Sequence, residues 1–166
     1  MNFMKTKLPK RKPNRLENFD YGAGHAYFVT ICTKNRQNLF WKSVGACIAR
    51  PQDVPLTSWG KIVDDAISNI PLIYPQVSVD HYVIMPNHIH LLINIYCEDE
   101  NGRAMLAPTL SRVVQQMKGA VTKATGMPIW QKLFYDHVIR NKQDYEEISK
   151  YIYENPINWE TDELYN

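Results

Sequence analysis

The sequence predicts an α+β domain with an antiparallel sheet, two helices on one sheet face and a further helix at its C-terminal end. Three observations carry this. The hydrophobic period switches between 2 and 3.6 in the order β-α-β-β-α-β-α. Two of the helical stretches each hold a single apolar stripe, which suits them to covering one face of a sheet. The stretch from His88 to Ile95 puts Ile89, Leu91, Ile93 and Ile95 on one side and His88 and His90 on the other.

Taken in order, His25 to Thr33 alternates loosely and is rich in β-branched and aromatic residues, as a strand is. Residues 34–56 form an irregular connector with a short hairpin expected around Leu39-Phe40-Trp41 and Cys47-Ile48. Ser58 is placed to cap a helix with Ile62, Val63, Ala66, Ile67 and Ile70 on its apolar face, ended by Pro71. Val77 to Met85 and His88 to Ile95 read as strands joined by a tight turn at Pro86-Asn87. Glu98 to Arg103 is a polar loop. Leu110, Val113, Val114, Met117 and Val121 then form one helical stripe with Gly126 beyond its end. A last strand is expected at about 130–139, and a last helix at about 142–155, stopped by Pro156. This is the ferredoxin-like split βαβ order with an added helix. Strand parity separates a helix-covered core face from an opposite face carrying the histidines.

At 166 residues the chain is one domain's worth, with globular proportions of 45% hydrophobic and 22% charged residues. No apolar stretch approaches the ~18 residues that span a bilayer, so no membrane association is expected. The basic start lacks the apolar segment of a secretory signal. Three cysteines without CxxC spacing argue against disulfides and a thiolate zinc site, and fit a reducing cytoplasm. The net charge of +2 conceals an asymmetry: Lys5, Lys7, Lys10, Arg11, Lys12 and Arg15 all precede the first acid, Glu17. Residues 1–20 thus read as a basic arm on a mildly acidic domain spanning 21–166. Such an arm suits either phosphate-backbone contact or a solvated terminus, and Pro9 and Pro13 keep it extended.

In Met85-Pro86-Asn87-His88-Ile89-His90-Leu91-Leu92 the two imidazoles share one strand face. They can chelate a divalent metal or simply face solvent. The last helix supplies company, because Tyr151 and Asn155 lie four residues apart on one helical face and offer a phenol and an amide oxygen to the same point. Tyr145 and Tyr153 lie in or near the same helix, but Tyr145 has Ser149 and Tyr153 has Ile157 at that spacing. A histidine pair, an oxygen ligand and a tyrosine together suit phosphodiester cleavage, with the metal polarising the phosphate and the phenol oxygen attacking it.

The Pro86–Leu92 segment resembles the HUH motif (histidine, hydrophobic, histidine) of single-tyrosine transposases, and the chain is similar to the REP-associated tyrosine transposases among them. The resemblance extends through Tyr27-Phe28-Val29-Thr30 with Thr33 and Arg36, Trp130-Gln131, His137 with Ile139-Arg140-Asn141, and Tyr151-Ile152 with Asn155-Pro156, covering roughly residues 15–157. It implies Tyr151 as nucleophile, with His88, His90 and Asn155 holding Mg²⁺ or Mn²⁺. Some relatives carry glutamine at the third ligand position. The implied reaction leaves a 5′-phosphotyrosine link and a free 3′-hydroxyl on single-stranded or hairpin DNA. That link conserves the bond energy, so no nucleotide cofactor is required, and the chain has no GxxxxGK[ST] run.

Candidate DNA contacts are Arg11, Lys12 and Arg15 from charge, and Arg36, Trp130, Gln131 and Arg140 from the family pattern. Trp130 suits a stacking platform or the core. His137 suits a structural role beside the site, or proton transfer. Asp136 offers a carboxylate but is not taken as a ligand. The short link between the last strand and the tyrosine helix favours a monomer acting in cis over a homodimer. Two alternatives belong to other classes. One is a noncatalytic nucleic-acid-binding module, in which the histidine pair would be idle. The other is a water-using metal phosphoesterase, for which the expected carboxylate-rich surroundings are missing.

Overall fold

The computed structural model describes residues 24–42, 55–99 and 101–165. The strands are β1 (His25–Cys32), β2 (Val77–Ile84), β3 (His88–Ile95) and β4 (Tyr135–Ile139). The helices are α1 (Ser58–Ser68), α2 (Ile70–Ile73), α3 (Leu110–Thr125) and α4 (Lys142–Glu154). The strands form one antiparallel sheet in the order β2-β3-β1-β4, with β2 and β4 at its edges. This is the expected α+β split βαβ arrangement.

Alternation sorts the sheet into two faces. Tyr27, Val29 and Ile31 of β1 and Ile89, Leu91, Ile93 and Ile95 of β3 are all fully or almost fully buried. They form one core with Val63 and Ile67 of α1 and Val113, Met117 and Val121 of α3. Asp136 pairs with Val29, so β4 turns it toward this same face and away from the histidines. The other face carries His88 and His90, and α4 packs on it, with Ile152 its only buried residue.

Local chemistry shifts several boundaries from their expected places. Thr57, one residue before Ser58, caps α1, its hydroxyl accepting from the backbone of Gly60 at 3.0 Å. Pro71 sits in the first turn of α2, where its missing N–H costs nothing, and α1 ends earlier, at Ser68. Gly126 ends α3 in the left-handed conformation, φ 72°. β4 begins at Tyr135 instead of about 130. Trp130 makes only an isolated bridge to Thr33, and Lys118 takes the carbonyls of Gln131 and Lys132. Trp41 bridges Leu56, whereas Cys47 and Ile48, the other arm of the expected hairpin, lie outside the described residues. Asp80 adds one residue to β2, shifting its register against β3 between Val79 and His81.

Candidate active site

Strand alternation and a three-residue connection between β2 and β3 set the histidines at the mouth of a central strand. Both are buried, His88 at 0% and His90 at 3% exposure, and their Nε2 atoms stand 3.0 Å apart. Each ring is held from behind. His88 Nδ1 is 2.7 Å from Asn87 Oδ1. The Asn87 amide nitrogen donates to the carbonyls of Leu164 and Arg36, which turns its oxygen toward the ring. That oxygen can only accept, so Nδ1 of His88 carries the proton and Nε2 presents a lone pair. His90 Nδ1 is paired with the Thr30 hydroxyl at 2.8 Å, and its ring stacks on Phe28 at 5.1 Å.

Burial, with the nearby Arg36 charge, pushes His88 down to about 3. Burial, with His88 beside it, holds His90 well below the usual histidine range. Both rings are therefore neutral at physiological pH, the form that ligates metals.

α4 brings Tyr151 to this pair. Its hydroxyl lies 3.5 Å from His90 Nε2, and its ring meets Phe28 edge-on at 6.0 Å. Burial, followed by the charge of Asp162, raises the phenol to about 12, with Asn155 acting in the opposite sense. One turn on, Asn155 is 3% exposed and donates through Nδ2 to Asp162 at 2.8 Å. Its Oδ1 is buried without a hydrogen-bond partner. Asp162 joins His88 and His90 in a group that could hold a metal ion, one donor atom from each lying within 4.8 Å of the others. Its other oxygen accepts from the backbone of Leu164 at 2.6 Å, which fixes its orientation.

This donor set fits a divalent cation. Two neutral imidazoles and a carboxylate converge, and a buried amide oxygen beside them has no partner. The cleft next to Tyr151 is lined by Glu154, Asp162 and Glu163, an acidic wall that would repel a phosphate unless a cation intervened.

Of the residues singled out in the sequence, the structure brings together His88, His90, Tyr151 and Asn155. Arg36 is exposed, in a turn where it and Asn35 both adopt left-handed backbone, φ 52° and 56°. Its backbone carbonyl accepts from Asn87, which ties the turn to the histidine strand. Trp130 is 8% exposed and packs on Phe40 at 5.4 Å, so its ring belongs to the core. Gln131 is held by its backbone to Cys32 and Lys118. Arg140 is exposed between β4 and α4. His137 pairs with Asp144 at 2.9 Å. Arg11, Lys12 and Arg15 lie outside the described residues.

Sequence reasoning missed Asp162, Asn87 and the Phe28–Thr30 pair as parts of this site. Phe28 and Thr30 were accessible through parity, being two apart on the strand that adjoins the histidines. Asp162 follows a short 3-10 turn at Trp159–Thr161 and carries no spacing signal.

Among the described residues no helix is long and apolar enough to cross a membrane. No protein-family model matches the chain. It is 34% identical to an uncharacterized protein of Haemophilus influenzae, over 93% of each chain. It is 26% identical to a REP-associated tyrosine transposase of Escherichia coli K12, over 82% of this chain and 69% of that protein. A REP-associated tyrosine transposase solved with a REP hairpin bound shares the fold, with a TM-score of 0.54 at 23% identity, covering 82% of this chain and 69% of that one. Named relatives along most of the chain agree with the histidine and tyrosine motifs, and the solved neighbour shares the fold: the chain is similar to the REP-associated tyrosine transposases.

Proposed function

We propose that this protein is a metal-dependent single-strand DNA endonuclease and strand transferase, a cytoplasmic transposase that cuts hairpin or repeat DNA through a 5′-phosphotyrosine intermediate on Tyr151. The observation that carries the reading is the Tyr151 hydroxyl 3.5 Å from one of two neutral, back-bonded imidazoles, with an unpartnered amide oxygen one helical turn away. His88, His90 and Asp162 would hold Mg²⁺ or Mn²⁺, with Asn155 Oδ1 beside them, and the imidazoles favour Mn²⁺. Bound there, the cation would withdraw charge from the scissile phosphate and favour the phenolate over the phenol.

The chain's own residues do the rest. Tyr151 supplies the nucleophilic oxygen: its bond to phosphorus forms as the bond to the 3′-oxygen breaks, and the phenol proton and the 3′-oxyanion exchange protons with solvent. Phe28 fixes the attacking ring from its edge. Asn87 and Thr30 keep the histidine rings in place. Arg36, Gln131 and Arg140, with Arg11, Lys12 and Arg15 of the basic arm, are the proposed DNA contacts, whereas Trp130 would act by supporting the turn before β4. The two-residue link between β4 and α4 supports attack in cis by a monomer.

The test is incubation with labelled single-stranded hairpin DNA from the source genome's repeats and Mn²⁺, resolved on a denaturing gel. A metal-dependent covalent adduct lost in Tyr151→Phe is the expected result. Cleavage without an adduct would replace this reading with a water-using phosphoesterase, and binding without cleavage with a noncatalytic module.

A further inference from the structure

The apolar anchoring of α4 is thin. Of its thirteen residues only Ile152 is buried, with Tyr145 and Ile148 partly buried against the core. Apolar burial has no direction of its own, so so small a patch leaves the roll of the helix about its axis poorly fixed. Yet that roll decides where Tyr151 points. A phenol oxygen roughly 8 Å from a helix axis moves by more than ~1 Å for a 10° roll, and an error of that size can cost about a hundredfold in rate.

Two polar contacts flank the sheet-facing stripe. Asp144 and Tyr145 are consecutive, about 100° apart around the helix, and they reach opposite edges of the sheet. The Asp144 carboxylate is 2.9 Å from His137 Nε2 on β4. The Tyr145 hydroxyl donates to Asp80 on β2 at 2.6 Å. Asp144 lies seven residues before Tyr151, on the same flank of α4 two turns away.

The β2 end is built for this contact. Without the extra residue in β2, Asp80 and His81 would point to opposite faces. With it, Asp80 reaches the α4 face and His81 lies there too, its ring 6.4 Å from that of Tyr145. Asp80 is set by Ser78 at 2.8 Å and Asn94 at 2.5 Å before Tyr145 adds its bond. Burial alone would raise this carboxyl, but the hydrogen bonds from Tyr145, Ser78 and Asn94 outweigh it and hold Asp80 below the usual carboxylate range.

We propose that Asp80 and His137 are positioning residues: through Tyr145 and Asp144 they clamp the first turn of α4 to both sheet edges and so aim Tyr151 at the histidines of its own chain. The inference rests on the reading of Tyr151 as nucleophile, and its test separates the two. Full-length native protein is compared with Tyr145→Phe, His137→Ala, the double variant and His137→Gln, which keeps an N–H donor for Asp144. The first readout needs neither metal nor DNA: the nuclear Overhauser contact between the Phe28 and Tyr151 rings, together with amide exchange along α4.

The contact should be present in native protein and in His137→Gln, weakened in each of Tyr145→Phe and His137→Ala, and lost in the double variant. Exchange in α4 should rise while β3 and α3 keep their protection. In single-turnover adduct formation the maximal rate should fall at least about tenfold, with half-saturating DNA changed less than about twofold. A ring contact that survives in the double variant overturns the clamp, as does a loosened α4 with an unchanged adduct rate. If the double variant does not fold, the two single variants decide by the same readouts. If native protein forms no adduct, the nucleophile reading falls, and the ring contact still judges the clamp.

Discussion

His88 donates its Nδ1 proton to Asn87, the residue immediately before it, across 2.7 Å. Asn87 in turn ties down the carbonyls of Leu164 and Arg36, so one amide links the His88 tautomer to the C-terminal segment and to the strained turn after β1. Truncating it leaves His88 free to place its proton on either nitrogen. Partners of this kind are worth about 10- to 100-fold in metal affinity. Asn87→Ala should therefore weaken Mn²⁺ binding by that factor. Trp159 makes a convenient reporter, since its ring lies 5.9 Å from that of His88 and a paramagnetic ion held there would quench it. Quenching at an unchanged Mn²⁺ concentration would show that the tautomer is set elsewhere.

Asp162 and Asp136 provide a matched pair of carboxylates. The first converges on the histidines, while strand register points the second at the opposite sheet face. Asp162→Asn removes the negative charge nearest the histidines and should lower Mn²⁺ affinity by roughly tenfold or more, in line with the energy of one close ion–ion contact in a half-buried site. Asp136→Asn should leave that affinity as it was. Free Mn²⁺ counted by electron paramagnetic resonance distinguishes the two, and equal effects would remove Asp162 from the ligand set.

What the sequence reveals follows from how local the cause is. The sheet order and core were legible because Ile89 to Ile95 and Leu110 to Val121 repeat with the periods of their elements, and burial enforces those periods. The histidine pair and the Tyr151–Asn155 spacing were legible for the same reason. Thr57 displaced Ser58 as the cap because two adjacent hydroxyls compete and chain entry decides between them; Thr57 also reaches the carbonyl of Leu39. The extra residue at Asp80 was hidden because its cause lies in pairing with β3 and docking of α4. Asp162 was hidden because a single acid after a tight turn has no period to betray it, and only tertiary folding brings it to the histidines.

Arg36 holds a left-handed backbone at φ 52°, a conformation that costs a side-chain-bearing residue roughly 1 kcal/mol. Arg36→Gly should relieve that strain and raise unfolding stability by up to about 1 kcal/mol in a urea titration. If the guanidinium meets a phosphate of the substrate, the same change should weaken single-stranded DNA binding. It should also flatten the slope of log K against log salt by ~0.7. A more stable protein with an unaltered salt slope would take Arg36 out of the interface and leave the strain without a DNA-binding purpose.

The Tyr145–Asp80 hydrogen bond predicts a pH window for the docking of α4. Asp80 titrates below its ordinary value of 3.8 in the folded chain. The unfolded chain then binds the extra proton in acid, so this contribution is present above about 3.8 and lost as pH falls through the folded value. Tyr145 is shifted the other way, to about 12, because its hydroxyl bonds the Asp80 carboxylate. Here the folded chain holds the extra proton, so stability is complete below about 10 and declines as pH rises toward 12. Other tyrosines ionise in that alkaline range too, so the informative quantity is the difference between native protein and Tyr145→Phe. Their stabilities should diverge most between about pH 4 and 10 and converge at both ends, with exchange of the α4 amides following the same profile. A constant difference across the whole range would mean that the ring of Tyr145 docks α4 by packing alone, with its hydroxyl idle.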